Sequence, residues 1–208
     1  SQLEPRITAL VANERQMLRA FAEGVPIYGP IGEAIYGRPI AKADVAEWHT
    51  AKTFFLALMY GADWTKLREI DPRLTVQQSR AGAAKVAELY PDLPAFRRRV
   101  VLEVTERGYV RDYFGRVRWL PGALSADPRT REAAYREAIN MHIQGPAATC
   151  IKKGMLRVTE ALCGREARLV LQVHDEVVVE AEVGLEGVVA DTLSHMLDGV
   201  MPIAFPVT

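Results

Sequence analysis

Arg168-Leu-Val-Leu-Gln-Val-His-Asp-Glu-Val-Val-Val-Glu-Ala181 sets two apolar, largely β-branched runs on either side of the polar trio His174-Asp175-Glu176. Such runs favour strands, and two of them meeting at a short polar break predict a β-hairpin with a polar tip. Rigid strands hold adjacent carboxylates well for a hard cation such as magnesium. Polar turn residues with no further role would look the same.

Working outward, Leu185, Val188, Val189, Leu193, Met196 and Leu197 recur at helical spacing and predict a last helix at about 184–199. Asp127-Pro128, an N-cap with proline at the first helical position, opens a helix to about His142. Gly145-Pro146 is expected to break it and start another, to about Leu162. The segment from Gly108 to Pro121 alternates and turns at Gly115, as a small β-ribbon does. Helices are expected at about 75–89 and 93–107. Asp44 can cap a helix to about Tyr60, stopped by Gly61. Its centre, Thr53 to Met59, is apolar almost all round and should be packed on most sides. Gly24 to Arg38 should be loop or short helix. Ser1 to Phe21 reads as a short lead-in and one helix with Leu10, Met17, Leu18 and Phe21 on its apolar positions. Pro202 to Thr208 reads as the start of a strand.

The 49% hydrophobic and 25% charged fractions are those of a folded chain and exclude disorder and collagen-like sequence. The longest apolar stretch, Phe54 to Met59, is far short of the roughly 20 residues of a membrane span. The charges spread over the first 20 residues do not fit a signal peptide. Cys150 and Cys163 cannot build a disulfide framework and read as reduced thiols, which favours a cytosolic setting. Four histidines and two distant cysteines give no zinc spacing. The 26 basic and 26 acidic residues cancel, but residues 62–119 are net about +4 and those after them about −4. A nucleic-acid path beside an acidic metal site would carry such a dipole, and so would ordinary solvated faces.

Two helical stripes carry further polar groups. Lys52, Leu56 and Tyr60 lie at steps of four, so one face offers a cation and an aromatic ring. A snorkelling lysine would look similar. Arg136, Asn140 and Gln144 also lie at steps of four. Long polar side chains in a row suit the acceptors of a minor groove, or simply water.

Taken together, these pieces resemble the family A DNA polymerases, the bacterial DNA polymerase I type. Gln172-Val-His-Asp-Glu176 resembles their third palm motif, and Ser1-Gln-Leu-Glu-Pro-Arg6 the remainder of their first. Lys52 with Tyr60-Gly61 resembles the fingers-helix motif. Arg131-Glu-Ala-Ala-Tyr-Arg136 through Asn140 and Gln144-Gly145 is similar to the helix that follows, and Gly108-Tyr-Val through Phe114-Gly-Arg and Leu120-Pro121 also matches. The order is that of the family, and the pieces span the chain. Pro5 and Leu56 are more like bacteriophage or prophage members.

The resemblance implies an α/β fold: a palm, an antiparallel sheet with flanking helices, plus a mainly helical fingers part. Palm would be residues 1–25 and 127–208, and fingers 26–126. It implies template-directed transfer of dNTPs to a primer 3′ end by two magnesium ions, in a bacterial or phage-infected cytoplasm, with primer-template DNA as partner and no membrane. Asp175 would be a metal ligand and Glu176 the supporting acid beside it. A second metal-binding aspartate and the thumb are expected before Ser1, so the 208 residues alone are expected not to polymerise. Lys52 would meet the triphosphate. Glu4 would block a ribose 2′-hydroxyl, with Tyr60 as its hydrogen-bonding neighbour. His174 would lie near the primer terminus, and Arg136, Asn140 and Gln144 would touch DNA. The helix bearing Lys52 would swing toward the palm when the matching nucleotide arrives.

Three departures bear on the nucleotide. Trp48 stands where the family usually has arginine, Tyr28 where a triphosphate-contacting histidine is common, and Leu56 where many members have an aromatic ring against the sugar. No arginine occurs between Arg38 and Arg68, so triphosphate affinity is expected to be lower than in typical relatives. A non-catalytic, polymerase-like DNA-binding module is the competing reading. A plain structural α/β domain would have to produce five motifs in order by chance.

Overall fold

The computed structural model describes residues 2–204. Ser1 and most of the strand expected over Pro202 to Thr208 lie outside them, and Pro202 to Ala204 are not in a strand. The first expected helix is two helices, α1 (Leu3–Ala12) and α2 (Arg15–Glu23). Asn13 separates them with a left-handed backbone, φ 55°, which asparagine tolerates better than most residues. The buried Glu14 carboxylate then accepts from the N–H of Gln16, at the start of α2, and from that of Asp92, at the start of α7 (Asp92–Arg107). A carboxylate between two helix N-termini complements both dipoles.

Next come α3 (Gly29–Tyr36), α4 (Val45–Met59), α5 (Lys66–Ile70) and α6 (Val76–Leu89). Asp44 sits at the N-cap position of α4, but its carboxylate accepts from the Ala41 N–H and from Arg38 instead of from the helix. α6 opens with a reciprocal capping box between Thr75 and Gln78. Gly82 lets α6 lie close on α3, because a Cβ there would stand 2.7 Å from Ile35 Cγ1. A T-shaped aromatic chain, Trp48 to Tyr28 to Phe55 to Tyr90, fills the space between these helices.

The ribbon is β1 (Tyr109–Arg111) paired antiparallel with β2 (Val117–Trp119). A 3-10 turn at Pro121–Leu124 leads to α8 (Pro128–Ala161). α8 is one helix of 34 residues, about 50 Å long. The break expected at Gly145-Pro146 does not occur. A proline inside a helix costs roughly 3 kcal/mol through its missing N–H and its ring. Here the ribbon turn braces that point. Arg116 donates to the Gly145 carbonyl, as does the Thr149 hydroxyl. The buried Asp112 carboxylate, held by the Phe114 and Arg116 N–H groups and by Arg116 Nε, lies flat against Gly145.

The second hairpin is β3 (Ala167–Val173) with β4 (Glu176–Ala181), in antiparallel register from Ala167↔Ala181 to Val173↔Glu176. Its tip is therefore two residues, His174 and Asp175, with His174 at φ 53°, and Glu176 already begins β4. The last helix, α9 (Glu186–Ser194), is shorter than expected, and the chain continues in turns to Val200.

Two apolar clusters organise these elements. The larger gathers α2, α3, α4, α6, α7 and the first half of α8 around Phe54, Phe55 and Phe96. The smaller joins Leu3 and Ile7 of α1 to Ala147, Cys150, Ile151 and Val158 of α8, to Met196 and Leu197, and to one side of the β3–β4 hairpin. α1 and α8 pack against each other and contribute to both clusters. Among the described residues, no helix is long and apolar enough to cross a membrane.

Two predictions follow the packing. A Cβ at Gly145 would stand 2.6 Å from Asp112 Oδ2, an atom that cannot give way without losing its hydrogen bond to Arg116. Gly145→Ala should cost about 1–3 kcal/mol in urea unfolding, whereas Gly187→Ala, with open space around it, should not lower stability. Burial, reinforced by the Glu4 charge, pushes the Tyr28 phenol up to about 12. Its folded value lies above the unfolded one, so its contribution is complete below pH 10 and is lost as pH rises toward 12. Unfolding titrations over that window should show a loss smaller by about 2 kcal/mol in Tyr28→Phe.

Candidate active site

Where the two clusters meet, the surface opens into a cleft of about 510 Å³. Its walls come from α1 with Glu4, from α4 with Lys52 and Leu56, from α8 with Gln144, and from the hairpin tip with His174 and Asp175; Tyr28 closes one end. Each wall has a local cause. The two-residue turn carries His174 and Asp175 out at the end of paired strands. The four-residue stride of α4 turns Lys52 and Leu56 to the cleft while Phe54, Phe55 and Leu58 go into the core.

Glu4, Tyr60 and Gln144 form a closed hydrogen-bonded set. The Tyr60 hydroxyl donates to Glu4 Oε2 at 2.7 Å, and Gln144 Nε2 donates to Glu4 Oε1 at 2.6 Å and to the Tyr60 oxygen at 2.8 Å. Burial, and then the bond and charge of Glu4, push the Tyr60 phenol well above its ordinary value. It therefore stays a donor at any working pH. Glu4 is fixed by two donors in a half-buried position on the cleft wall.

Lys52, from α4, and Asp175, from the hairpin tip, both line the cleft, and neither has an ion-pair or hydrogen-bond partner among the described residues. Both are thus available to a ligand. Glu176 begins β4, is exposed, and is not among the cleft-lining residues. Arg136 and Asn140 are exposed on α8, about 12 and 6 Å along its axis from Gln144, and lie outside the cleft. They form a polar track leading away from it.

The sequence reading missed Lys152, Ala148 and Gln172, which also line the cleft. Lys152 continues the stride 136, 140, 144, 148, 152. An unbroken α8 would have brought it in, and the break expected at Pro146 hid it. Gln172 points to the tip itself, where its amide donates to the His174 carbonyl.

Magnesium takes one or two carboxylates and fills its remaining positions with water and substrate phosphates. Asp175 fits that demand as an oxygen donor on the cleft wall with no partner among the described residues. Among the described residues, no cluster of three or more His, Cys, Asp or Glu side chains stands ready to hold a metal, and of the two carboxylates that line the cleft Glu4 is already held by Tyr60 and Gln144.

The family model described as DNA polymerase family A matches residues 1–208. The thermostable DNA polymerase I of Thermus aquaticus is 32% identical over 206 residues, 99% of this chain and 25% of that protein. DNA polymerase I of Pseudomonas aeruginosa is 30% identical over 210 residues, 99% of this chain and 23% of that protein. Among solved structures, the POL domain of Pol1 from M. smegmatis, in complex with DNA primer-template and dNTP, superposes with a TM-score of 0.85 at 27% identity, covering 100% of this chain and 37% of that one. The chain spans about a quarter of the length of the curated relatives it matches. It belongs to DNA polymerase family A.

Proposed function

We propose that the polypeptide carrying this chain is a template-directed DNA polymerase and that these residues form its palm, 1–25 and 127–208, and its fingers, 26–126. The observation that carries this reading is that one cleft is lined by a lysine from α4 and an aspartate from a hairpin tip, neither with a partner among the described residues, and by a carboxylate locked by two donors. A triphosphate needs a cation beside its phosphates, and the Lys52 ammonium provides one. Asp175 would hold magnesium, which when bound steadies the charge on the reacting phosphate. A second aspartate would come from outside this chain.

Glu4 selects the sugar. Its carboxylate already accepts from Tyr60 and Gln144, so it cannot turn aside for a 2′-hydroxyl. A ribose there meets a fixed side chain and lacks a free partner. Leu56 and Tyr28 flank the nucleotide on the fingers side. His174 stands beside the primer end, and Gln144, Asn140 and Arg136 follow the duplex along α8. Trp48, packed edge to face on Tyr28, favours a second reading, a polymerase-like DNA-binding module without catalysis. Metal-dependent primer extension by the full-length protein decides between them.

In that protein, Asp175→Ala should abolish primer extension and leave primer-template affinity within about threefold, read by fluorescence anisotropy. Equal loss of both would give Asp175 a structural role. Glu4→Ala should raise ribonucleotide incorporation relative to dNTP by roughly 10–100-fold; an unchanged ratio would remove Glu4 from sugar selection.

A further inference from the structure

A second cavity, of about 410 Å³, adjoins the cleft and shares Tyr28 and Lys52 with it. Gln2, Arg6, Lys42 and Trp48 also line it, and among the described residues no carboxylate does. Its three cations come from three places: Arg6 from α1, Lys52 from α4, and Lys42 from the loop between α3 and α4.

Each cation is short of an acidic partner. Arg6 is buried, with its guanidinium over the Phe21 ring and one N–H on the Ala204 carbonyl, and its Nε has no hydrogen-bond partner among the described residues. Burial without a counter-charge lowers its pKa. Lys42 and Lys52 have no ion pair among the described residues. For Lys42 the cause is visible. The nearby acids Asp44 and Glu47 are both taken by Arg38, at 3.1 and 3.0 Å. The same contacts, with the Ala41 N–H on Asp44 Oδ2 and the Asp44 N–H on the Ala41 carbonyl, close a turn around Lys42 and fix its backbone. Three like charges around one uncompensated cavity repel one another, and an anion entering it relieves that repulsion.

We propose that Lys42 is an affinity-determining residue that holds the distal phosphate of the incoming nucleoside triphosphate. The inference rests on the polymerase reading above and adds a residue to it. A triphosphate lying along Lys52 passes from the cleft into the second cavity. There Lys42 meets its end, and Arg6 supplies a fixed positive charge at the wall. The loop thus provides the cation that α4 lacks at Trp48, and the lower triphosphate affinity expected from Trp48 alone is offset.

The test uses the full-length protein as wild type, Lys42→Ala and Lys42→Arg. Primer extension gives KM and kcat for dNTP, and calorimetry gives the affinities of inorganic tripolyphosphate and of a deoxynucleoside monophosphate. Lys42→Ala should raise the dNTP KM about 5–20-fold with kcat within about twofold, and weaken tripolyphosphate to a similar degree. Lys42→Arg should restore both, and monophosphate affinity should not move. An unchanged KM and tripolyphosphate affinity in Lys42→Ala, or an equal loss for the monophosphate, would overturn the proposal. If the wild type extends no primer, the polymerase reading fails, and with it this role for Lys42. If it extends primers and Lys42→Ala is silent, only the role of Lys42 fails.

Discussion

Three helices that are far apart in sequence are tied together at the Glu4 carboxylate. It belongs to α1 and accepts from Tyr60, at the end of α4, and from Gln144, in the middle of α8. The pair Tyr60–Gln144 closes the set at 2.8 Å. A half-buried carboxylate with two good donors stays in place, because leaving either donor unpaired costs on the order of 1–3 kcal/mol. The set links α1 and α8, which contribute to both apolar clusters, to the end of α4, which packs in the larger one. Glu4 and Gln144 of this set also line the cleft that Lys52 and Asp175 share.

α8 makes the seam possible. Its first half packs into the larger cluster and its second half into the smaller one. A break at Pro146 would let the two halves move independently. The ribbon turn prevents this by placing Asp112 and Arg116 against Gly145. A surface ribbon therefore sets the geometry of the cleft without lining it.

Local chemistry made much of this legible in the sequence. The β3–β4 hairpin, the ribbon turning at Gly115, the helix at about 75–89 and the stop of α4 near Gly61 all follow from residues within a few positions of each other. The stripe on α4 correctly put Lys52 and Leu56 on one side, since the core takes the other. What the sequence hid depends on distant partners. Asn13 ends α1 because Glu14 is drawn to the start of α7. Pro146 reads as a stop until Asp112 and Arg116 are known to lie beside it. Lys42 reads as one more surface lysine until Arg38 is seen to occupy its neighbouring acids. Glu176 was expected beside Asp175 as the supporting acid; in the structure Asp175 belongs to the two-residue turn, while Glu176 begins β4 and is not among the residues that line the cleft.

On the proposed reading, Asp175 and Lys52 act on one ligand in the cleft they both line. The most direct measurement is a crystal structure of the full-length protein with primer-template DNA, a non-hydrolysable dNTP and manganese in place of magnesium. The expected result is an anomalous peak at the Asp175 carboxylate and triphosphate density between it and Lys52 Nζ. Manganese absent from Asp175, or a nucleotide bound away from Lys52, would contradict it.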